Sequence, residues 1–88
     1  MDHILPFLHE RIAVVDLETT GTAATSDGIT EIGIVRIEHG VVVEEWSSLV
    51  NPGVSIPPEI QALTGITDAM VRNAPNFAAL AGDVRARL

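Results

Sequence analysis

The sequence predicts an α/β domain in which three strands come first and helices follow. Three observations carry this. Residues 12–17, IAVVDL, form a nearly continuous apolar run, as expected for a central strand covered on both faces. Residues 29–38, ITEIGIVRIE, and 41–50, VVVEEWSSLV, are rich in β-branched side chains and flank His39-Gly40, where glycine supplies the positive φ of a tight hairpin. After Asn51-Pro52-Gly53, whose turn chemistry ends the third strand, the apolar period becomes helical.

The elements follow in order. Residues 1–10 read as a leader with weak periodicity, broken at Pro6. Thr20 to Gly28, rich in Thr, Gly, Ser and Asp, reads as a loop between the first strand and the antiparallel pair beside it. Pro57 and Pro58 suit a helix start, and that helix ends at Thr64-Gly65, where glycine can form a left-handed cap. Thr67 can cap a second short helix through Val71, with Asp68 favourably placed in its first turn. Pro75 opens a third helix with Phe77, Leu80, Ala81, Val84 and Leu88 at helical spacing on one face, Phe77 in the core, and Arg85 and Arg87 on a solvated side. That face reaches an uncapped Leu88, so the helix is expected to continue and the chain to be truncated.

Composition bounds the function. The 88 residues suffice for one small domain, residues 11–88 after the leader. A chain of this size hides about 60–65 % of its unfolded surface, so the core is modest. With 47 % hydrophobic residues the chain is globular rather than disordered. It has no cysteine, which excludes disulfides and thiolate metal sites and agrees with a cytoplasmic location. The N-terminus lacks the pattern of a signal peptide, and no run of about 18 apolar residues predicts a membrane span. Twelve acids face five arginines and no lysine, a net charge of −7. Phosphate-backbone binders usually neutralise several phosphates with Lys and Arg. Any nucleic acid must therefore be held locally, through bound cations, or by basic surface supplied elsewhere.

The chemistry-bearing stretch is VVDLETTGT, residues 14–22. In a strand, side chains at i and i+2 share a face about 6.6 Å apart, so Asp16 and Glu18 converge at the strand's carboxyl end. Two unpaired carboxylates repel unless a cation lies between them. No Lys or Arg follows in the loop, which leaves a metal as the natural counter-charge. Hard oxygen donors favour Mg²⁺ or Mn²⁺ over zinc. Two such ions about 4 Å apart suit phosphodiester hydrolysis, with Asp16 bridging both and Glu18 holding one. Thr19, Thr20 and Gly21 would bring backbone N–H groups near a terminal sugar or phosphate. The bland alternative is a solvated polar strand end, because a D-x-E triplet alone is unspecific. Glu31, in the neighbouring strand, is expected to support Thr19 or Thr20 rather than bind metal. Trp46 is expected to pack on the sheet.

The order of DLETTG, EIGIVRI, SSLVNPG and IPPEIQALTGIT, followed by AP before a helix, resembles the DEDD-family 3′–5′ exonucleases. The resemblance is specifically to members similar to the proofreading epsilon subunit of bacterial DNA polymerase III, and runs from about Arg11 to Leu88. It implies a ribonuclease H-like fold, a mixed sheet whose first three strands are antiparallel. It makes Asp16 and Glu18 the metal-binding acids of the first motif, in a site of two Mg²⁺ or Mn²⁺ ions. It sets Thr19 and Thr20 against the 3′-terminal nucleotide, with Leu63, Thr64 and Ile66 flanking its sugar or base. It also implies a nucleic-acid 3′ end as partner, DNA favoured over RNA, in replication proofreading or repair, alongside a polymerase or a fused downstream domain. Two later motifs, an aspartate after an H-N pair and a histidine base with a final aspartate, do not occur in these residues. His3, His9 and His39 cannot replace that histidine, because two precede the first strand and one lies in the hairpin turn. The chain thus holds the N-terminal half of the domain and is expected to be inactive alone.

Two rival readings stand beside this one. An apolar strand leading into D-x-E-x-T resembles haloacid-dehalogenase-type phosphatases, with Asp16 as nucleophile. Those have Asp at the second acid and a helical crossover next, whereas a hairpin is predicted here. The other rival is a non-catalytic fragment or interaction module that packs against a partner.

Overall fold

In a computed structural model, which describes residues 10–21 and 28–88, the chain forms one antiparallel sheet followed by three helices. The expected leader, apart from Glu10, and the interior of the Thr20–Gly28 loop lie outside the described residues, as do His3 and His9. Strand β1 spans Arg11–Thr19, β2 Ile29–Glu38 and β3 Val41–Leu49, in the order β1-β2-β3. His39 and Gly40 both take positive φ, 53° and 77°, so the β2–β3 hairpin turns where expected. Near this end of the sheet, Arg11 pairs with Glu38, and Arg36 pairs with both Glu38 and Glu44.

The first strand departs from expectation. Its apolar run predicts a central strand covered on both faces, yet β1 is an edge strand, and Val14 and Val15 are 50 % and 43 % exposed. Among the described residues only β2 pairs with it, and its residues from Arg11 to Leu17 are exposed. Periodicity reports which faces are apolar; it does not say what lies over them.

The two sheet faces meet different helices. Alternation puts Val15, Leu17, Ile32, Ile34, Trp46 and Ser48 on one face. There Ile32, Ile34 and Val50 form the main core with Leu80 and Val84 of helix α3, Phe77–Arg87. Trp46 packs against this core, as expected of it. Arg87 was expected on a solvated side, but its guanidinium lies 4.7 Å from the Trp46 ring centre and pairs with Glu44 and Asp83. A long side chain one turn past Val84 can cover a ring while keeping its charge paired. Arg85 is exposed, as expected. Phe77 was expected in the core and is 43 % exposed. It opens α3, and only Leu80 and Val84 are buried from this helix.

The other helices build a second cluster. Helix α1, Pro58–Thr64, ends at Gly65, whose φ of 76° and N–H bond to the Gln61 carbonyl make the predicted left-handed cap. In α2, Asp68–Val71, the Thr67 hydroxyl accepts from the Met70 N–H, as a cap should. Helix α3 is capped by Asn76, which accepts from Ala79, one residue after the Pro75 start read from sequence. Ile56, Ile66 and Val71 are buried together, with Leu49 and Ile60 packed against them. Asp68 also fastens this unit, accepting from the Ile56 N–H at 2.9 Å and the Gln61 amide at 3.2 Å. No helix among the described residues is long and apolar enough to cross a membrane.

Candidate active site

Asp16 and Glu18 lie in the carboxyl-terminal half of β1 on the sheet face opposite the main core. Asp16 is directly across from Gly33, and Glu18 is across from Glu31. The next position across from Glu31 is Leu49. Leu49 packs on the Ile56–Ile66–Val71 cluster, so the row Glu18–Glu31–Leu49 links the acids to the LTGIT segment around one end of the sheet.

The electrostatics there are one-sided. Like charges directly opposite in a sheet destabilise it, and Glu18 faces Glu31. Among the described residues neither Asp16 nor Glu18 forms an ion pair, and no group of three or more His, Cys, Asp or Glu is gathered to hold a metal. Asp16 is exposed and Glu18 half-buried, both acceptor-only oxygen donors. This donor set fits a hard divalent cation, as part of a fuller coordination shell.

The segment after the acids is held by a local clip. The β1–β2 register shifts between Glu18 and Thr19, where the strand begins to leave the sheet. Thr20 is 1 % exposed; its N–H donates to the Gly28 carbonyl at 2.8 Å, and its hydroxyl accepts from the Gly28 N–H at 2.9 Å. Gly28 must be glycine, since a Cβ there would stand 2.8 Å from both Cβ and the carbonyl oxygen of Pro52. The Thr19 hydroxyl donates to the Gly21 carbonyl at 2.6 Å. These bonds close the base of the loop and set the backbone course of Thr19, Thr20 and Gly21 beside the acids. Nothing local in the sequence marks Thr20 and Gly28 as partners, because they are eight residues apart and meet over the Pro52 turn.

Replacing Thr20 with valine keeps its shape but strips the acceptor from the Gly28 N–H. The expected cost is about 1–3 kcal/mol, the penalty of an unmade buried hydrogen bond. Serine at the same position should recover most of it. Urea denaturation of the three proteins checks this: a valine variant as stable as the parent would mean that the clip contributes nothing.

The other sequence-predicted residues are distributed unevenly. Leu63 is 80 % exposed on α1 and free to meet a ligand. The Thr64 hydroxyl donates to the Ile60 carbonyl and accepts from the Ile66 N–H, tying off the helix end. Ile66 is buried in the second cluster, so its side chain supports the segment from beneath.

A family model described as Exonuclease (RNase_T) matches residues 13–87. The chain belongs to the exonuclease family. Within that family it is 55 % identical over 73 residues to a Mycobacterium tuberculosis protein whose name provisionally assigns it a bifunctional exonuclease/endonuclease role. That match covers 76 % of this chain and 11 % of the relative. It is 43 % identical over 76 residues to the 3′-5′ exonuclease DinG of Bacillus subtilis, covering 85 % of this chain and 8 % of that protein. The chain therefore spans about a tenth of the length of these curated relatives. Among solved structures it superposes on Exonuclease X, in complex with 5′ overhanging duplex DNA, with a TM-score of 0.74 and 33 % identity. That superposition covers 82 % of this exonuclease-family chain and 42 % of the other. Apo Exonuclease I shares the fold at a TM-score of 0.76 and 24 % identity. The ribonuclease H-like architecture of three antiparallel strands followed by helices is thus that of known exonucleases.

Proposed function

We propose that these residues form the first-motif half of a 3′–5′ exonuclease domain that shortens DNA from its 3′ end by two-metal-ion hydrolysis. The observation that carries the proposal is the pair Asp16 and Glu18, side by side on one face of β1, within a family match over residues 13–87. Asp16 and Glu18 would hold Mg²⁺ or Mn²⁺, which supplies an activated water and steadies the leaving oxygen. The clipped backbone of Thr19, Thr20 and Gly21 would receive the 3′-terminal nucleotide, with Leu63 against its sugar or base and Thr64 and Ile66 fixing the segment that presents Leu63. Bound cations also answer the charge problem, since a chain of net charge −7 cannot attract phosphate by itself.

The chain spans only about a tenth of these relatives, one of which is named a bifunctional exonuclease/endonuclease, and this favours a domain fused to others in one longer protein. By itself the 88-residue chain would be inactive, its two carboxylates being too few to fix two ions. The exposed apolar residues of β1 favour a second, compatible role, as a packing surface for the rest of such a domain. The test is digestion of single-stranded DNA, labelled at either end, by the full-length protein with Mn²⁺. Immediate release of label from the 3′ end alone is the expected result. Internal cuts, or no cleavage with any divalent ion, would overturn the proposal.

A further inference from the structure

Gly33 sits mid-way along β2, the central strand of the three, where glycine is a poor choice. A glycine inside a strand weakens it and offers no side chain to pack. The usual reasons for one are missing. Gly40, Gly53 and Gly65 take positive φ, but Gly33 does not. Gly28 is forced by Pro52, but a Cβ added at Gly33 meets no atom within 4 Å. Neither backbone conformation nor packing among the described residues requires the absence of a side chain here.

The neighbours supply a reason. Across the sheet, Gly33 lies between Asp16 on β1 and Ser47 on β3, so this row is low. On either side stand the taller rows Val14–Val35–Glu45 and Glu18–Glu31–Leu49. The low row and the Val14–Val35–Glu45 row together line a shallow groove that contains Gly33 and Asp16. Opposite positions in an antiparallel pair hold their Cβ atoms about 4.5–5.5 Å apart, so any side chain at 33 would stand directly beside the Asp16 carboxylate.

We propose that Gly33 is an access residue: its bare backbone keeps the volume beside Asp16 clear for a hydrated divalent cation carrying a phosphodiester end. The proposal rests on the metal-dependent reading of Asp16 given above. It predicts an opposition that a structural glycine would not produce. A β-branched residue at 33 should strengthen the sheet while impairing the site.

The experiment compares the full-length protein with Gly33→Ala and Gly33→Val, measuring thermal midpoint without metal, Mn²⁺ affinity by calorimetry, and 3′-end digestion. The expected result for valine is an unchanged or higher midpoint with Mn²⁺ affinity lowered about 10–100-fold, the size of effect seen when the surroundings of metal ligands are altered. Alanine should fall between valine and the parent. A valine variant with parental Mn²⁺ affinity and digestion would overturn the access role and leave the exonuclease reading intact. A lowered midpoint would overturn it too, by showing that glycine serves packing. If the parent protein itself binds no Mn²⁺, the functional reading and this inference fail together.

Discussion

Replacing Asp16 with alanine is expected to abolish Mn²⁺-dependent 3′-end digestion while leaving the fold as stable as before, or slightly more so. The two effects separate because Asp16 contributes little to packing. It is exposed, it lies opposite a glycine, and it forms no ion pair among the described residues. Removing it also lowers the concentration of negative charge around Glu18 and Glu31. The functional loss should be large, since metal-ion stabilisation of a phosphoryl transition state is worth several kcal/mol. At about 1.4 kcal/mol per tenfold, that is about 10²–10³-fold or more in rate. Asparagine should be nearly as damaging, because it keeps the shape and loses the charge. Single-turnover digestion at saturating Mn²⁺, with thermal midpoints on the same samples, measures both. Activity within a few-fold of the parent would remove Asp16 from the site and leave the strand-end acids as ordinary surface charge.

The largest effect on stability is expected at Ile34. Its side chain is 1 % exposed at the centre of the main core, between Val15 and Trp46 in the sheet and beneath Leu80 and Val84 of α3. Truncation to alanine removes the apolar contact of one side chain and leaves a cavity, which together cost about 2–5 kcal/mol. Domains of this kind are stable by only about 5–15 kcal/mol, so the variant should lose a large share of its stability. Val15, its direct neighbour, is a useful contrast. It faces the same side but is half-exposed, and its alanine variant should cost far less. Urea midpoints for the pair decide the matter. Equal losses would mean that the core is not centred on Ile34, and that α3 seals the sheet differently.

Much of this is legible in the sequence, because it depends on local chemistry. The β2–β3 hairpin follows from β-branched runs on either side of His39-Gly40, and the turn angles agree. Gly65 and Thr67 act as the caps that their chemistry predicts, because caps are local events settled within four residues. Asp16 and Glu18 share a face because a strand has a period of two. The misreadings have one origin. Phe77, Arg87 and the burial of β1 all depend on what lies opposite a surface, and the sequence of one element does not contain that. The Thr20–Gly28 clip is invisible in the sequence for the same reason.

By itself, the sequence determined the elements, the caps at Gly65 and Thr67, and the placing of two carboxylates together at a strand end. These depend on backbone sterics and on side-chain period, both readable residue by residue. Only the tertiary structure decided that Gly33 lies beside Asp16, that Glu31 opposes Glu18, and that Leu49 connects the acid row to the LTGIT segment. Those relations come from strand register and layer contact, which bring distant residues within a few ångströms and leave no trace in the order of the chain.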